Sequence, residues 1–337
     1  MEKVAVIILN WNGANMLRRF LPGVLQHTNA TVYVADNAST DESLQLLATE
    51  FPQVPIIQFP KNLGFAEGYN EAIKKVEAEY VVLLNSDVEV KDDWLAPLVQ
   101  YMDVHTDVAA SQPKILSWYA PHLFEYAGAC GGYLDYLGYP FCRGRIFGTL
   151  EEDKGQYDSV VPVFWATGAA LMVRKDVYEE VGGFDARFFA HMEEIDFCWR
   201  LRSRGYGIVC VPTSKVYHVG GGTLPKENPF KTHLNFRNNL YMLYKNLPDQ
   251  SLKSVMCMRY WLDLLAALQF TLKGEWRSAR AVFKAHTEFR KNKHQFDVDR
   301  SENIARTKCK QIKELVPYSI LWAYYAKGKK HFSRLPQ

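Results

Sequence analysis

The stretch Val4-Ala5-Val6-Ile7-Ile8-Leu9-Asn10-Trp11-Asn12-Gly13 decides the fold class. Six consecutive aliphatic residues, four of them β-branched, read as a strand covered on both faces. The run stops at Asn-Trp-Asn-Gly, and residues 15–26 resume with Met16, Phe20 and Val24 at helical spacing. The alternation then repeats. Thr31–Ala35, Pro55–Phe59 and Tyr80–Leu84 read as strands. Residues 40–50, with Thr40 as a cap, and Glu67–Glu77 read as helices. Strands alternating with helices predict an α/β fold built on a mostly parallel sheet flanked by helices.

The polar residues gather where ligands bind in such sheets, beyond the carboxyl ends of the strands. The four strands end in Asn10-Trp11-Asn12-Gly13, Asp36-Asn37-Ala38-Ser39-Thr40-Asp41, Lys61-Asn62-Leu63-Gly64-Phe65 and Asn85-Ser86-Asp87-Val88-Glu89. Each alone is an ordinary turn composition. Four at one edge predict a site. No G-x-G-x-x-G or G-x-x-x-x-G-K-[ST] loop is present, which argues against a dinucleotide or P-loop ligand. A pyrophosphate at this edge would need a cation to neutralise it.

The remainder is less regular. Residues 117–145, rich in Gly, Tyr and Cys, read as loops or a hairpin inserted into the sheet. Val160–Val173 reads as a long strand or a pair, Asp185–Ser203 as a loop entering a helix, and Ile208–Val216 as another strand. After about Pro225 the pattern is helical to the end, so the expected division is residues 1–225 and 226–337, the first with halves at 1–110 and 111–225. The net charge of +3 conceals an imbalance between these parts. Residues 1–225 hold 18 Lys and Arg against 28 Asp and Glu, for −10, while residues 226–337 hold 22 against 9, for +13. The acidic part suits metal binding, and the basic part suits phosphate, a membrane surface or nucleic acid.

No apolar run reaches the roughly 20 residues of a membrane span, and none near the N-terminus resembles a secretion signal. A cytoplasmic protein with reduced cysteines is expected, its six Cys lacking any C-x-x-C pair. Ser254–Leu272 is apolar but carries Arg259 and Asp263 four residues apart, where they can pair, so it reads as a core or interfacial helix. The closing helix, Pro317–Ala326, bears Leu321, Trp322, Tyr324 and Tyr325 and is followed by Lys327, Lys329, Lys330 and Arg334. Aromatic residues beside a basic cluster suit a membrane–water interface. Packing on the body with a solvated tail is the competing reading, and the sequence leaves both open.

The four strand-end blocks, with Asn62-Leu63-Gly64-Phe65-Ala66-Glu67-Gly68-Tyr69-Asn70 and Leu83-Leu84-Asn85-Ser86-Asp87 in order and spacing, resemble family 2 glycosyltransferases, specifically a bacterial rhamnosyltransferase-like subgroup. The likeness continues through Trp165-Ala166-Thr167-Gly168-Ala169 and Phe188–Cys198 to Val216-Tyr217-His218-Val219-Gly220-Gly221, about two-thirds of the chain. It implies a GT-A fold, a UDP- or dTDP-linked sugar donor, a divalent metal (Mg²⁺ or Mn²⁺) and an inverting transfer. The expected acceptor is a lipid-linked glycan or growing surface polysaccharide, met by peripheral contact with an anionic membrane, and no nucleic-acid role is expected.

By the same resemblance Asp36 takes the pyrimidine base, and Asn10, Asn12, Asn62, Gly64, Phe65, Asn70 and Asn85 line the donor pocket. Asn85-Ser86-Asp87 stands where the family carries D-x-D, with Asn replacing the first carboxylate, so Asp87 is the expected metal ligand and His218 its partner. Glu193-Glu194-Ile195-Asp196 stands where the family carries its general base. Glu194 is the first choice and Asp196 the second, since neighbouring carboxylates raise one another's pKa. Trp165 and Glu193 are placed near the sugars, with core packing the simpler reading for Trp165. Two other functions remain: a sugar-phosphate nucleotidyltransferase, whose glycine-rich loop with a following arginine is absent, and a non-catalytic binding protein, for which a base would be superfluous.

Overall fold

The structure is a computed structural model and describes residues 2–220 and 228–336. The chain opens with β1 (Glu2–Asn10), α1 (Ala14–Gln26), β2 (Thr31–Asp36), α2 (Ser43–Glu50), β3 (Ile56–Gln58), α3 (Gly64–Ile73), β4 (Ala78–Asn85), β5 (Val88–Val90), α4 (Ala96–Val104) and β6 (Val108–Ser117). A meander follows, β7 (Gly132–Asp135), β8 (Pro140–Cys142), β9 (Arg145–Ile146) and β10 (Thr149–Leu150). The chain returns through β11 (Val161–Pro162), β12 (Ala170–Arg174), α5 (Lys175–Glu180), α6 (Glu193–Ser203) and β13 (Gly207–His218). It then runs through α7 (Pro229–Asn246), α8 (Asp249–Leu272), α9 (Trp276–Asn292), α10 (Asp297–Ala305) and β14 (Leu315–Val316).

Among the described residues the main sheet has nine strands, in the order β11-β13-β6-β12-β4-β1-β2-β3, with β5 paired to β13. Strands β1–β4 are mutually parallel where they pair, and β13 runs parallel to β6, whereas β12 lies antiparallel between β4 and β6. The predicted mostly parallel sheet is therefore present, with an antiparallel strand, β12, in its middle that was not expected. β1 is buried from Val4 to Ile8 because helices cover both of its faces. Alternate residues divide between two cores: Ala5 and Ile7 face one, and Val4, Val6 and Ile8 the other. α1 buries Ala14, Leu17, Phe20, Leu21 and Val24, so Phe20 and Val24 lie on the core face as expected while Met16 is half-buried beside it.

Register aligns the polar strand ends. Asn10 pairs with Asp36 across β1 and β2, and Leu9 pairs with Asn85 across β1 and β4. His218, the last residue of β13, stands opposite Val88, one residue beyond Asp87.

Three expectations change. Residues 132–150 are not inserted into the main sheet but build a second, five-stranded sheet, ordered β10-β9-β8-β7-β14. Its fifth strand comes from the C-terminal segment, whose Val316, Ile320, Ala323 and Leu335 close a small core on Phe141 and Ile146. The C-terminal part is thus not helical throughout, since strand β14 follows α10. The closing helix is present but shorter than the expected 317–326, a π-helical segment over Trp322–Ala326. Thr40 is not a cap: its N–H donates to Asn12 Oδ1 (2.7 Å), and Asp41 instead accepts from Ser43 N and Ala14 N (3.0 Å each), securing the starts of α2 and α1 together. The division expected at residues 225 and 226 lies outside the described residues.

Candidate active site

The first two loops are sewn together by short polar side chains. Asn10 Nδ2 donates to Asp36 Oδ1 (3.2 Å) and Ser39 Oγ (3.1 Å), Ser39 N donates to Asp36 Oδ2 (3.0 Å), and Asn12 N donates to Ser39 Oγ (2.9 Å). Asp36 is fully buried, so its carboxylate first holds the turn after β2. Asn10 Oδ1 is buried with no partner. Asn37 Nδ2 carries the network onward to Asn62 Oδ1 (3.1 Å) and Gly64 O (2.9 Å).

Three predicted pocket residues serve the fold instead. Gly64 has φ 78°, and an added Cβ would lie 2.5 Å from the Phe189 ring, so glycine is demanded by a neighbouring loop rather than by a ligand. Phe65 packs on Tyr69 (4.8 Å between centroids) and Phe184 (6.3 Å). Asn70 accepts from Tyr178 OH (2.7 Å) and Phe184 N (3.0 Å) and donates to Phe184 O (2.9 Å) and Glu67 (3.2 Å), tying α3 to the segment after α5. Trp165 is buried, with Nε1 donating to Tyr133 O (3.0 Å), and packs directly over Gly132.

At the other side of the edge, Asp87 and His218 meet. His218 Nε2 lies 3.1 Å from Asp87 Oδ1 and 3.4 Å from Asn85 Nδ2. Its Nδ1 lies 3.2 Å from Glu125 Oε2 without the alignment of a hydrogen bond. All three ionisable groups are buried. Burial opposes charge on His218, but the Asp87 and Glu125 carboxylates outweigh it and push its pKa up to about 10. For Asp87 burial works upward, and the imidazole more than offsets it, holding the carboxyl below its ordinary value. Glu125 was not foreseen. It stands alone in Phe124-Glu125-Tyr126, an irregular segment with no periodicity to single it out. Among the described residues no group of three or more His, Cys, Asp or Glu side chains gathers to hold a metal ion.

The acidic start of α6 is brought to this edge by the loop before it. Phe189 O accepts from Phe65 N (2.7 Å) and Ala66 N (3.2 Å), binding the loop to the start of α3. Phe189, His191 and Met192 all have φ between 65° and 71°, a conformation unfavourable for non-glycine residues. Asn238 on α7 holds them there: its Nδ2 reaches Phe188 O (2.9 Å), Ala190 O (2.9 Å) and His191 O (2.7 Å). The adjacent Asn238-Asn239, weak helix formers buried mid-helix, were a readable sign of such a duty.

The three carboxylates here diverge. Asp196 is fully buried and satisfied by Arg200 Nε (3.1 Å), Lys245 Nζ (2.9 Å) and Asn246 Nδ2 (2.8 Å). It is an ion-pair residue, which removes the second choice of base. Glu193 and Glu194 each have a buried Oε2 with no partner. Burial, reinforced by the Glu194 charge, raises Glu193 well above its ordinary value. Burial lifts Glu194 to about 7 against the helix-start N–H groups that favour its ionised form. A carboxyl that changes charge near neutrality, with a free oxygen, can accept a proton from a substrate.

Residues 5–118 match the family model described as Glycosyl transferase family 2. Over that stretch the chain carries a family 2 glycosyltransferase domain. This glycosyltransferase is 28% identical over 246 residues to the N-acetylglucosaminyl-diphospho-decaprenol L-rhamnosyltransferase of Mycobacterium tuberculosis (strain CDC 1551 / Oshkosh), covering 64% of this chain and 76% of that one. It is 25% identical over 261 residues to the dTDP-rhamnosyl transferase RfbF of Shigella flexneri, covering 73% and 81%. Among solved structures it resembles GalNAc-T7 with UDP, GalNAc and Mn²⁺, at a TM-score of 0.57 and 16% identity over 74% of this chain and 49% of the other. The fold of the glycosyltransferase is GT-A, as the resemblance implied.

Proposed function

We propose that this glycosyltransferase moves a sugar, rhamnose being the first candidate, from a UDP- or dTDP-linked donor to a lipid-linked glycan, with inversion at the anomeric carbon. One observation carries the reading: Glu194, in the first turn of α6 directly after the strained loop clamped to the strand-end edge, has a buried carboxyl oxygen with no partner and a carboxyl lifted by burial to about 7. The names of the relatives support the rhamnosyl donor and the decaprenol-type acceptor.

In the mechanism, Asn10, Asn12, Asp36 and Asn62 frame the nucleotide end, and Asp36 offers the base a carboxylate that can accept an N–H. Asp87 and His218 fit a divalent cation. They set a carboxylate oxygen and a ring nitrogen side by side, a donor pair suited to Mn²⁺ or Mg²⁺, and His218 Nδ1 is buried without a hydrogen bond, turned towards Glu125. When bound, the cation supplies counter-charge to the departing diphosphate. Glu125 then orients the imidazole, as a carboxylate behind a ligating histidine does. Glu194 takes the proton from the acceptor hydroxyl as its oxygen forms the new bond to the anomeric carbon and the diphosphate leaves from the opposite face. Glu193, held protonated by burial, keeps a second negative charge away from that base.

Among the described residues no helix is long and apolar enough to cross a membrane. We place the enzyme's acceptor at a membrane surface reached by peripheral contact of the basic C-terminal part. A panel of nucleotide sugars, tested with Mn²⁺ for protection against thermal unfolding, identifies the donor, since stabilisation grows as RT ln(1 + [L]/Kd). Protection by none of the UDP- or dTDP-sugars would refute the reading.

A further inference from the structure

Helix α8 is inside out. Its buried face carries Val255, Arg259, Asp263 and Ala267. Arg259 and Asp263 pair there at 3.2 Å, and Asp263 also meets His286 at 2.9 Å. Its exposed face carries Met258, Trp261, Leu265, Leu268 and Leu272. At 3.6 residues per turn these five fall within an arc of about 80°, opposite the charged pair. Trp261 is 61% exposed and Leu272 79%. A helix that hides its ion pair and presents a continuous apolar stripe is built to meet an apolar phase.

The stripe continues beyond the helix. Met258 and Leu265 line a groove of about 930 Å³ together with Trp322, Tyr325, Lys327 and Lys329 of the closing segment. Trp322 and Tyr325 are 64% and 66% exposed. At the far end of α8, exposed Lys273, Trp276, Arg277 and Arg280 follow. Tryptophan, tyrosine and a cationic rim around aliphatic side chains are the composition of a helix lying in a lipid headgroup layer.

We propose that the outward face of α8, joined by Trp322 and Tyr325, is the surface on which the enzyme docks to an anionic lipid bilayer. The inference rests on the reading of a membrane-presented acceptor and moves the main contact from the basic tail to α8. Charge complementarity selects this occupant. A symmetric second copy would set the cationic rim against itself, whereas anionic headgroups neutralise it while the stripe inserts. The lysines attract, and the stripe holds.

The test uses the full chain, sedimented with phosphatidylcholine vesicles with and without phosphatidylglycerol, while tryptophan emission is followed. The wild type is expected to bind the anionic vesicles with a blue shift. The exposed-site variant Trp261→Ser/Leu265→Ser/Leu268→Ser is expected to bind about tenfold or more weakly, because three inserting side chains are gone. Lys327→Gln/Lys329→Gln/Lys330→Gln is expected to lose most of the salt sensitivity of binding. Transfer to a lipid-free acceptor should be equal in all three. Unchanged vesicle binding by the stripe variant overturns the proposal, as does a wild-type dimer that ignores vesicles and that the stripe variant dissociates. If vesicle binding behaves as expected but no lipid-linked acceptor is glycosylated, the docking surface stands and the acceptor reading falls.

Discussion

Two regions of this glycosyltransferase break the ordinary rule of burial in opposite directions. At the strand-end edge, Glu193 is buried and Glu194 half-buried, and each has a buried Oε2 that finds no partner. On α8, Met258, Trp261, Leu265, Leu268 and Leu272 face outward while Arg259 and Asp263 lie inside. Unpaired buried carboxyls and exposed apolar stripes both cost stability, the first through desolvation and the second through hydrated hydrocarbon. Each cost is met nearby. Asn238 and the Asp196–Lys245–Arg200 cluster hold the acidic helix start, and the Arg259–Asp263–His286 cluster anchors α8. In these two regions the ion-paired Asp196 and Asp263 hold the scaffold, whereas the unpartnered Glu193 and Glu194 oxygens and the exposed α8 stripe are left for a ligand or a surface.

Four changes can break or sharpen that contrast. Asp87→Ala should abolish transfer and Mn²⁺ binding together, because His218 alone cannot hold the cation or offset the diphosphate. Wild-type rates in EDTA would end that account. Asp196→Ala should act on stability instead. It strands Lys245 and Arg200 in the interior, which costs about 3–5 kcal/mol on urea unfolding, while turnover per folded molecule is retained. Glu194→Gln should lower turnover by roughly 10²-fold or more with donor binding preserved in thermal-shift titrations. Glu125→Gln should be milder, weakening Mn²⁺ affinity about 10-fold by electron paramagnetic resonance, because the imidazole loses the carboxylate behind it.

Glu194 also has a stability signature. Its carboxyl titrates at about 7 in the fold against an ordinary 4.5. Between those values the folded chain holds a proton that the unfolded chain has released, so stability falls as pH rises through that window. Glu194→Gln should flatten part of that slope in a pH series of melting temperatures. An unchanged slope would show that Glu193 alone carries it.

The donor half was legible because its signals are local. The run Val4–Leu9, the polar strand ends and the helical spacing of α1 each follow from a handful of neighbouring residues. The pairing of Asp87 with His218 lay 131 residues apart and was reached only through the resemblance. What stayed hidden depended on contacts between distant segments. Asn70 looked like a pocket residue until the 178–184 segment folded onto it, and Gly64 until Phe189 filled its Cβ space. Asp196 and Glu194 are two residues apart on one helix, yet only packing against α7 tells the paired carboxylate from the free one. The separate sheet that begins in the 117–145 segment is not legible locally, because its fifth strand comes from Leu315–Val316, far along the chain. Arg259 and Asp263 were rightly paired from spacing, but that the pair faces inward required the fold.

The most direct test of the central claim is the pH dependence of turnover at saturating nucleotide sugar and Mn²⁺, measured for the wild type and Glu194→Gln. The account predicts that wild-type turnover rises with pH to a plateau with a midpoint near 7, as the Glu194 carboxyl loses its proton and becomes a base. The variant should be roughly 10²-fold slower at the plateau and lack that midpoint. A variant with the wild-type profile and rate would show that another group takes the acceptor's proton.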